Sequence, residues 1–218
     1  MLDAGDNPHY IPSGMESVAT CLAPKGRPRE FDLEEALTAA LRVFWRRGYE
    51  GASMAELTAE MGIAKPSLYA AFGNKEELFK KALDLYEREK MSYMATALQE
   101  PTSRRMAERL LTGALEMQTS SCDPKGCLGV ISTVACGQEA SPIRDSVIER
   151  QKSSREALIA RLEEYQKQGD LPADIEPEAL ARYMVAVLQG LSVQAGAGAS
   201  VQELKSLVDM AMRTWPGR

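Results

Sequence analysis

Residues 53–75 constrain this chain most. They read SMAELTAEMGIAKPSLYAAFGNK. Ser53 is placed to cap a short helix, and Glu56 three residues on completes a capping box. Gly62 stops that helix, because glycine takes the left-handed conformation at little cost. Pro66 then falls in the opening turn of a second helix, where its missing N–H is not needed. Asn74 caps a third, with Glu77 three residues on. Two short helices joined by a tight turn make a helix–turn–helix, which lays its second helix in the DNA major groove. That second helix carries Lys65, Ser67 and Tyr69, groups able to bond phosphates and base edges. Tyr69 has a packing alternative, but its place at the exposed front beside Lys65 favours phosphate.

The rest of the chain follows a helical period. Leu33, Ala36, Leu37, Ala40, Leu41, Phe44 and Trp45 form one wide apolar stripe between Phe31 and Gly48. Phe44, Trp45, Leu57, Leu68 and Phe72 are the expected core of this first part. Helices are predicted over 54–61, 65–72, 75–98, 103–121, 127–138, 142–168, 177–195 and 201–214. No segment alternates like a strand or carries a hairpin dipeptide, so the predicted class is all-α. The expected organisation is a non-periodic segment 1–23, a DNA-binding head 24–75 and a helical body 76–218. A continuous helix over 75–98 would join head to body as a stiff lever.

Charge is distributed unevenly. The chain of 218 residues has a net charge of −5. Residues 24–80 hold nine Lys/Arg and nine Asp/Glu, so the other residues carry all of the deficit. An acidic body with a locally basic end suits a specific DNA reader better than a nonspecific coat. Lys25, Arg27 and Arg29 lie in KGRPR, which is either a solvated linker or an arm reaching phosphates or the minor groove. No apolar run approaches the roughly 18 residues of a membrane span, and the N-terminus lacks a signal-peptide pattern. The expected location is cytoplasmic, with no membrane partner.

The text GRPREFD, followed by ALRVFWRRGYEGASMAELTAEMGIAKPSLYAAFGNKEELFKKALDLY, resembles the TetR/AcrR family of bacterial repressors over about residues 26–86. Later segments, GCLGVISTVAC among them, resemble a branch that includes a copper-responsive repressor of an outer-membrane protein. The resemblance implies a homodimer with a three-helix DNA-binding head and a ligand-binding body. By that resemblance Lys65, Pro66, Ser67 and Tyr69 match the recognition helix. Ser53 matches a phosphate-contacting helix start, and Lys75 a backbone-contacting lysine. Ala70 and Ala71 stand where the family often has larger side chains. The implied partners are double-stranded operator DNA, a second copy of the chain and a small-molecule effector, with no cofactor.

Within the body, Tyr93, Met94, Leu110, Met117, Cys127, Ile131, Tyr165 and Tyr183 are candidate pocket lining. The alternative for most of them is plain core. A wall rich in Met and aromatic residues suits an apolar or aromatic small molecule. Leu180, Met184, Val187, Leu188 and Leu191, with Leu204, Leu207, Val208 and Ala211, are ordinary core or, by the resemblance, the subunit contact. Metal chemistry is poorly supplied, because His9 is the only histidine. Cys122, Cys127 and Cys136 offer soft thiolates for Cu(I) or for oxidation, and small buried hydrophobes are the simpler account. Cys127 and Cys136 cannot share a metal on one unbroken helix, since nine residues set them on near-opposite faces. A thiol enzyme is disfavoured, because no phosphate loop, Cys–His pair or clustered carboxylate motif stands out.

Overall fold

A computed structural model describes residues 32–134 and 140–217. It contains helices and no strands among them, as the periodicity predicts. Helix α1 (Leu33–Gly51) starts at Asp32, whose carboxylate accepts from the Glu34 and Glu35 N–H groups. Gly48 interrupts α1 with φ 71, and its missing Cβ leaves room for Ile131. Helix α2 (Met54–Met61) is capped by Ser53, which accepts from the Glu56 N–H. The capping box expected there is half made. The Glu56 carboxylate reaches Arg47 Nε at 3.2 Å instead of the cap backbone. Gly62 closes α2 in the left-handed conformation at φ 65.

Helix α3 (Lys65–Phe72) follows, with Pro66 in its first turn. Helix α4 (Lys75–Lys90) opens with a complete box between Asn74 and Glu77. The lever expected over 75–98 is not continuous. It breaks at Met91, and the short α5 (Ser92–Ala97) continues after it. The break accompanies a tight packing contact: the Tyr93 ring lies on Gly113 of α6 (Ser103–Thr119), so closely that an added Cβ there would meet it at 2.5 Å.

Helix α7 (Leu128–Val134) is described for the first part of the predicted 127–138 helix; Cys136 lies outside the described residues. Helix α8 (Ser141–Lys167) has Pro142 in its first turn. Helices α9 (Pro177–Gly196) and α10 (Val201–Thr214) complete the chain, the latter with a Ser200–Glu203 capping box. None of these helices is long and apolar enough to cross a membrane.

Two apolar clusters organise the helices. The first gathers Phe44, Trp45, Leu57, Leu68, Phe72, Phe79 and Tyr86 from α1 to α4, and reaches Leu128, Ile143 and Val147. Phe44 meets Phe79 edge-on at 5.1 Å, and Trp45 meets Tyr86 edge-on at 4.8 Å. The second cluster gathers Met106, Leu110, Leu111, Leu162, Tyr165, Met184, Leu191 and Leu204 from α6, α8, α9 and α10. A buried polar knot lies among the helices. The Gly126 carbonyl accepts from Trp45 Nε1 at 3.1 Å and from Gln118 Nε2 at 3.0 Å. The Gly126 N–H donates to Gln118 Oε1, and Gln118 Nε2 reaches Ser192 Oγ at 3.4 Å. One loop glycine thus ties α1, α6 and α9 together.

Candidate nucleic-acid interface and cavity

Helix α3 has two faces with different tasks. Leu68 and Phe72 are buried, anchoring it on the first cluster. Lys65, Pro66 and Tyr69 are exposed and Ser67 is half-buried. Tyr69 is 45% exposed, a large aromatic kept in water, so the packing alternative does not hold for it. Lys65 Nζ lies 5.9 Å from the Tyr69 ring centroid, which places the two side chains side by side. Ser53 is exposed at the start of α2. Its hydroxyl already accepts from an amide, and it retains an O–H to donate.

Lys75 sits less freely. Its Nζ lies 4.6 Å from the Tyr49 ring centroid, and burial holds its pKa below the usual lysine range, with Glu50 acting against that shift. Lys25, Arg27 and Arg29 lie outside the described residues.

A cavity of about 470 Å³ opens between α4, α5, α6, α8 and α9. Tyr93, Met94, Leu110, Met117 and Cys127 line it as expected. Three other candidates do not. Tyr165 is fully buried in the second cluster, where its hydroxyl donates to the Glu100 carbonyl at 2.5 Å. Tyr183 is exposed on the outside of α9, 3.2 Å from the Thr214 hydroxyl. Ile131 packs against Gly48 and borders a separate depression beside Trp45. Helical period alone marks an inward face; it cannot say which inward residues border an empty space.

Weak acids gather on the cavity wall. Tyr86 Oη lies 3.5 Å from Cys127 Sγ and 4.0 Å from Met117 Sδ. Burial, and then Cys127, push the Tyr86 hydroxyl well above the usual tyrosine range; the same causes raise Tyr93. Both phenols therefore stay neutral and act as donors. Polar wall residues that the sequence reading missed include Gln151, Arg155, Gln189 and Ser192. For Gln151 and Arg155 a signal was present in the sequence, because they interrupt an inward apolar stripe of α8.

The subunit-contact candidates divide by burial within the protomer. Leu180, Met184, Leu191, Leu204, Val208 and Ala211 are buried within the protomer's own second cluster. Val187, Leu188 and Leu207 are half-buried against that cluster, and Leu188 lines the cavity. The large apolar residues left exposed on these helices are Tyr183 and Val193 on α9 and Val201 and Met210 on α10. Cys122 is exposed and Cys127 half-buried, and among the described residues no three His, Cys, Asp or Glu side chains group to hold a metal.

A short helix pair that turns Lys65 and Tyr69 outward, on a helical body holding a mostly apolar cavity, defines a helix–turn–helix regulator. The family model "Bacterial regulatory proteins, tetR family" matches residues 36–82, and "Tetracyclin repressor-like, C-terminal domain" matches residues 106–211. The HTH-type transcriptional repressor ComR of Escherichia coli (strain K12) is 31% identical over 194 residues, which is 88% of this chain and 92% of ComR. The repressor BdcR of the same strain is 28% identical over 186 residues, 85% of this chain and 90% of BdcR. A solved structure of a cysteine mutant of the TetR family regulator CifR, complexed with 26-bp double-strand operator DNA, is 41% identical. It superposes with a TM-score of 0.83 over 88% of this chain and all of that one. The chain belongs to the TetR family of bacterial transcriptional regulators.

Proposed function

We propose that this chain is an operator-binding repressor that works as a homodimer and is released by a small effector in the cavity. The observation that carries the reading is α3: Leu68 and Phe72 fix it inward, while Lys65, Ser67 and Tyr69 are left for phosphates and base edges. Residues 24–75 serve as the head, with Lys25, Arg27 and Arg29 as an arm and Ser53 and Lys75 on the flanking backbone. CifR, 41% identical to this chain, is solved in complex with double-strand operator DNA, which supports the DNA reading. Residues 76–218 serve as the body. The exposed Tyr183, Val193, Val201 and Met210 supply the apolar contact with a second copy.

The effector acts through its difference in affinity between the DNA-competent shape and the other. Leu83, Tyr86 and Glu87 of α4 line the cavity, so whatever fills it bears directly on the helix that follows α3. Retention of the purified protein on a fragment upstream of its own gene, and not on a scrambled fragment, tests the DNA reading. Release from that fragment by a small molecule tests the effector reading. Equal retention on both fragments contradicts the proposal.

A second reading rests on Cys127, whose thiol is on the cavity wall beside the Tyr86 hydroxyl. An oxidant or soft metal in the cavity would meet this thiol, with the Met117 thioether on the same wall. Operator release by peroxide in the wild type, lost in Cys127→Ser, supports it. Equal release by both proteins removes it.

A further inference from the structure

Helix α8 departs from plain core where it meets the cavity. Its inward stripe runs Val147, Gln151, Arg155, Leu158 and Leu162, at spacings of three and four. Val147, Leu158 and Leu162 are buried apolar residues. The two between them are polar, and both line the cavity. Polar residues at inward helix positions cost stability unless something bonds them.

Two arginines lie on this wall, and they differ in their partners. Arg150 is satisfied by Asp84 at 2.6 Å and Glu87 at 2.7 Å. Arg155 is half-buried, and among the described residues no carboxylate lies within ion-pair distance of it. Its neighbours one turn away on α8 are Gln151, Lys152, Leu158 and Ile159, none of them acidic. The cavity wall is mostly apolar, with Met94, Leu110 and Leu188 among its residues.

We infer that the effector is an amphipathic monocarboxylic acid, its hydrocarbon or aryl body in the apolar cavity and its carboxylate on Arg155, with Gln151 as a second donor. The inference rests on the cavity being the effector site. A guanidinium fork matches one carboxylate with two parallel hydrogen bonds. A phosphate monoester fits less well: it carries nearly two charges, and Arg155 is the one cation on this wall without a carboxylate partner among the described residues. An uncharged effector would leave Arg155 partly withdrawn from water with nothing in exchange.

The test compares acids with their uncharged amides by calorimetric titration of the full-length dimer. Octanoate against octanamide and cinnamate against cinnamamide are the probes. In the wild type each acid binds at least about tenfold more tightly than its amide, the size of one charge-assisted hydrogen bond. Arg155→Gln, confirmed folded by its melting curve, brings each acid down to the affinity of the amide, and Arg155→Lys keeps part of the difference. Amides that bind the wild type as tightly as the acids overturn the inference while leaving the cavity as an effector site. Acid preference surviving in Arg155→Gln also overturns it. Failure of all four probes to bind removes the inference and the cavity reading together.

Discussion

Lys65 and Leu68 stand three residues apart on α3 and differ in exposure. Leu68 has no exposed surface, whereas Lys65 is exposed. If Lys65 neutralises one phosphate, Lys65→Ala weakens operator binding and lowers the slope of log K against log salt by about one. A binding titration across salt concentrations reads this, and an unchanged slope removes Lys65 from the interface. Trp45 offers a second residue test. Its indole N–H bonds the buried Gly126 carbonyl, which keeps Gln118 as its other donor. Trp45→Phe removes this bond and also shrinks a buried ring packed on Tyr86, so it should cost at least about 2 kcal/mol of stability in a denaturant melt. No loss would contradict the place given to Trp45 in the core. The faces of α3 were legible in the sequence because period and composition agree there. The knot at Gly126 was not, since residues 45, 118, 126 and 192 are distant in the chain and no local pattern links them.

At the scale of elements, caps and stops marked helix ends well, and tertiary contacts decided the rest. Gly62, Pro66 and Asn74 each act where the sequence placed them. The run 75–98 looked continuous because it contains no glycine or proline to end it. The break at Met91 goes with the seat of Tyr93 on Gly113, a contact between α5 and α6 that no helix signal announces. That seat yields a prediction. Gly113→Ala places a Cβ 2.5 Å from the Tyr93 ring and must displace it. Tyr93 lines the cavity, so the variant should lose effector binding while its head, which the change does not touch, still binds the operator. Fluorescence anisotropy with labelled operator, with and without effector, separates the two. Effector response at the wild-type concentration would contradict the role given to this contact.

At the scale of the whole molecule, the inward and outward stripes of α9 and α10 could not be told apart by sequence. Both are apolar at helical spacing, and the choice is made by which stripe α6 and α8 cover. Leu191 is buried, while Val193 is 55% exposed and Met210 58% exposed. A charge at Val193 therefore spares the protomer core and should split the dimer: Val193→Asp is expected to sediment as a monomer with an unshifted helical spectrum and greatly weakened operator binding. A dimer of unchanged mass would place the contact elsewhere. Two joined heads are also what the DNA reading requires, because one eight-residue helix contacts few base edges. The most direct measurement of that reading is a hydroxyl-radical footprint of the purified protein on the DNA upstream of its own gene. Two protected stretches about one helical turn apart, roughly 34–36 Å between centres, both needing more protein in Lys65→Ala and both released by effector, are the predicted result. Protection that is uniform, absent, or unchanged in Lys65→Ala would contradict it.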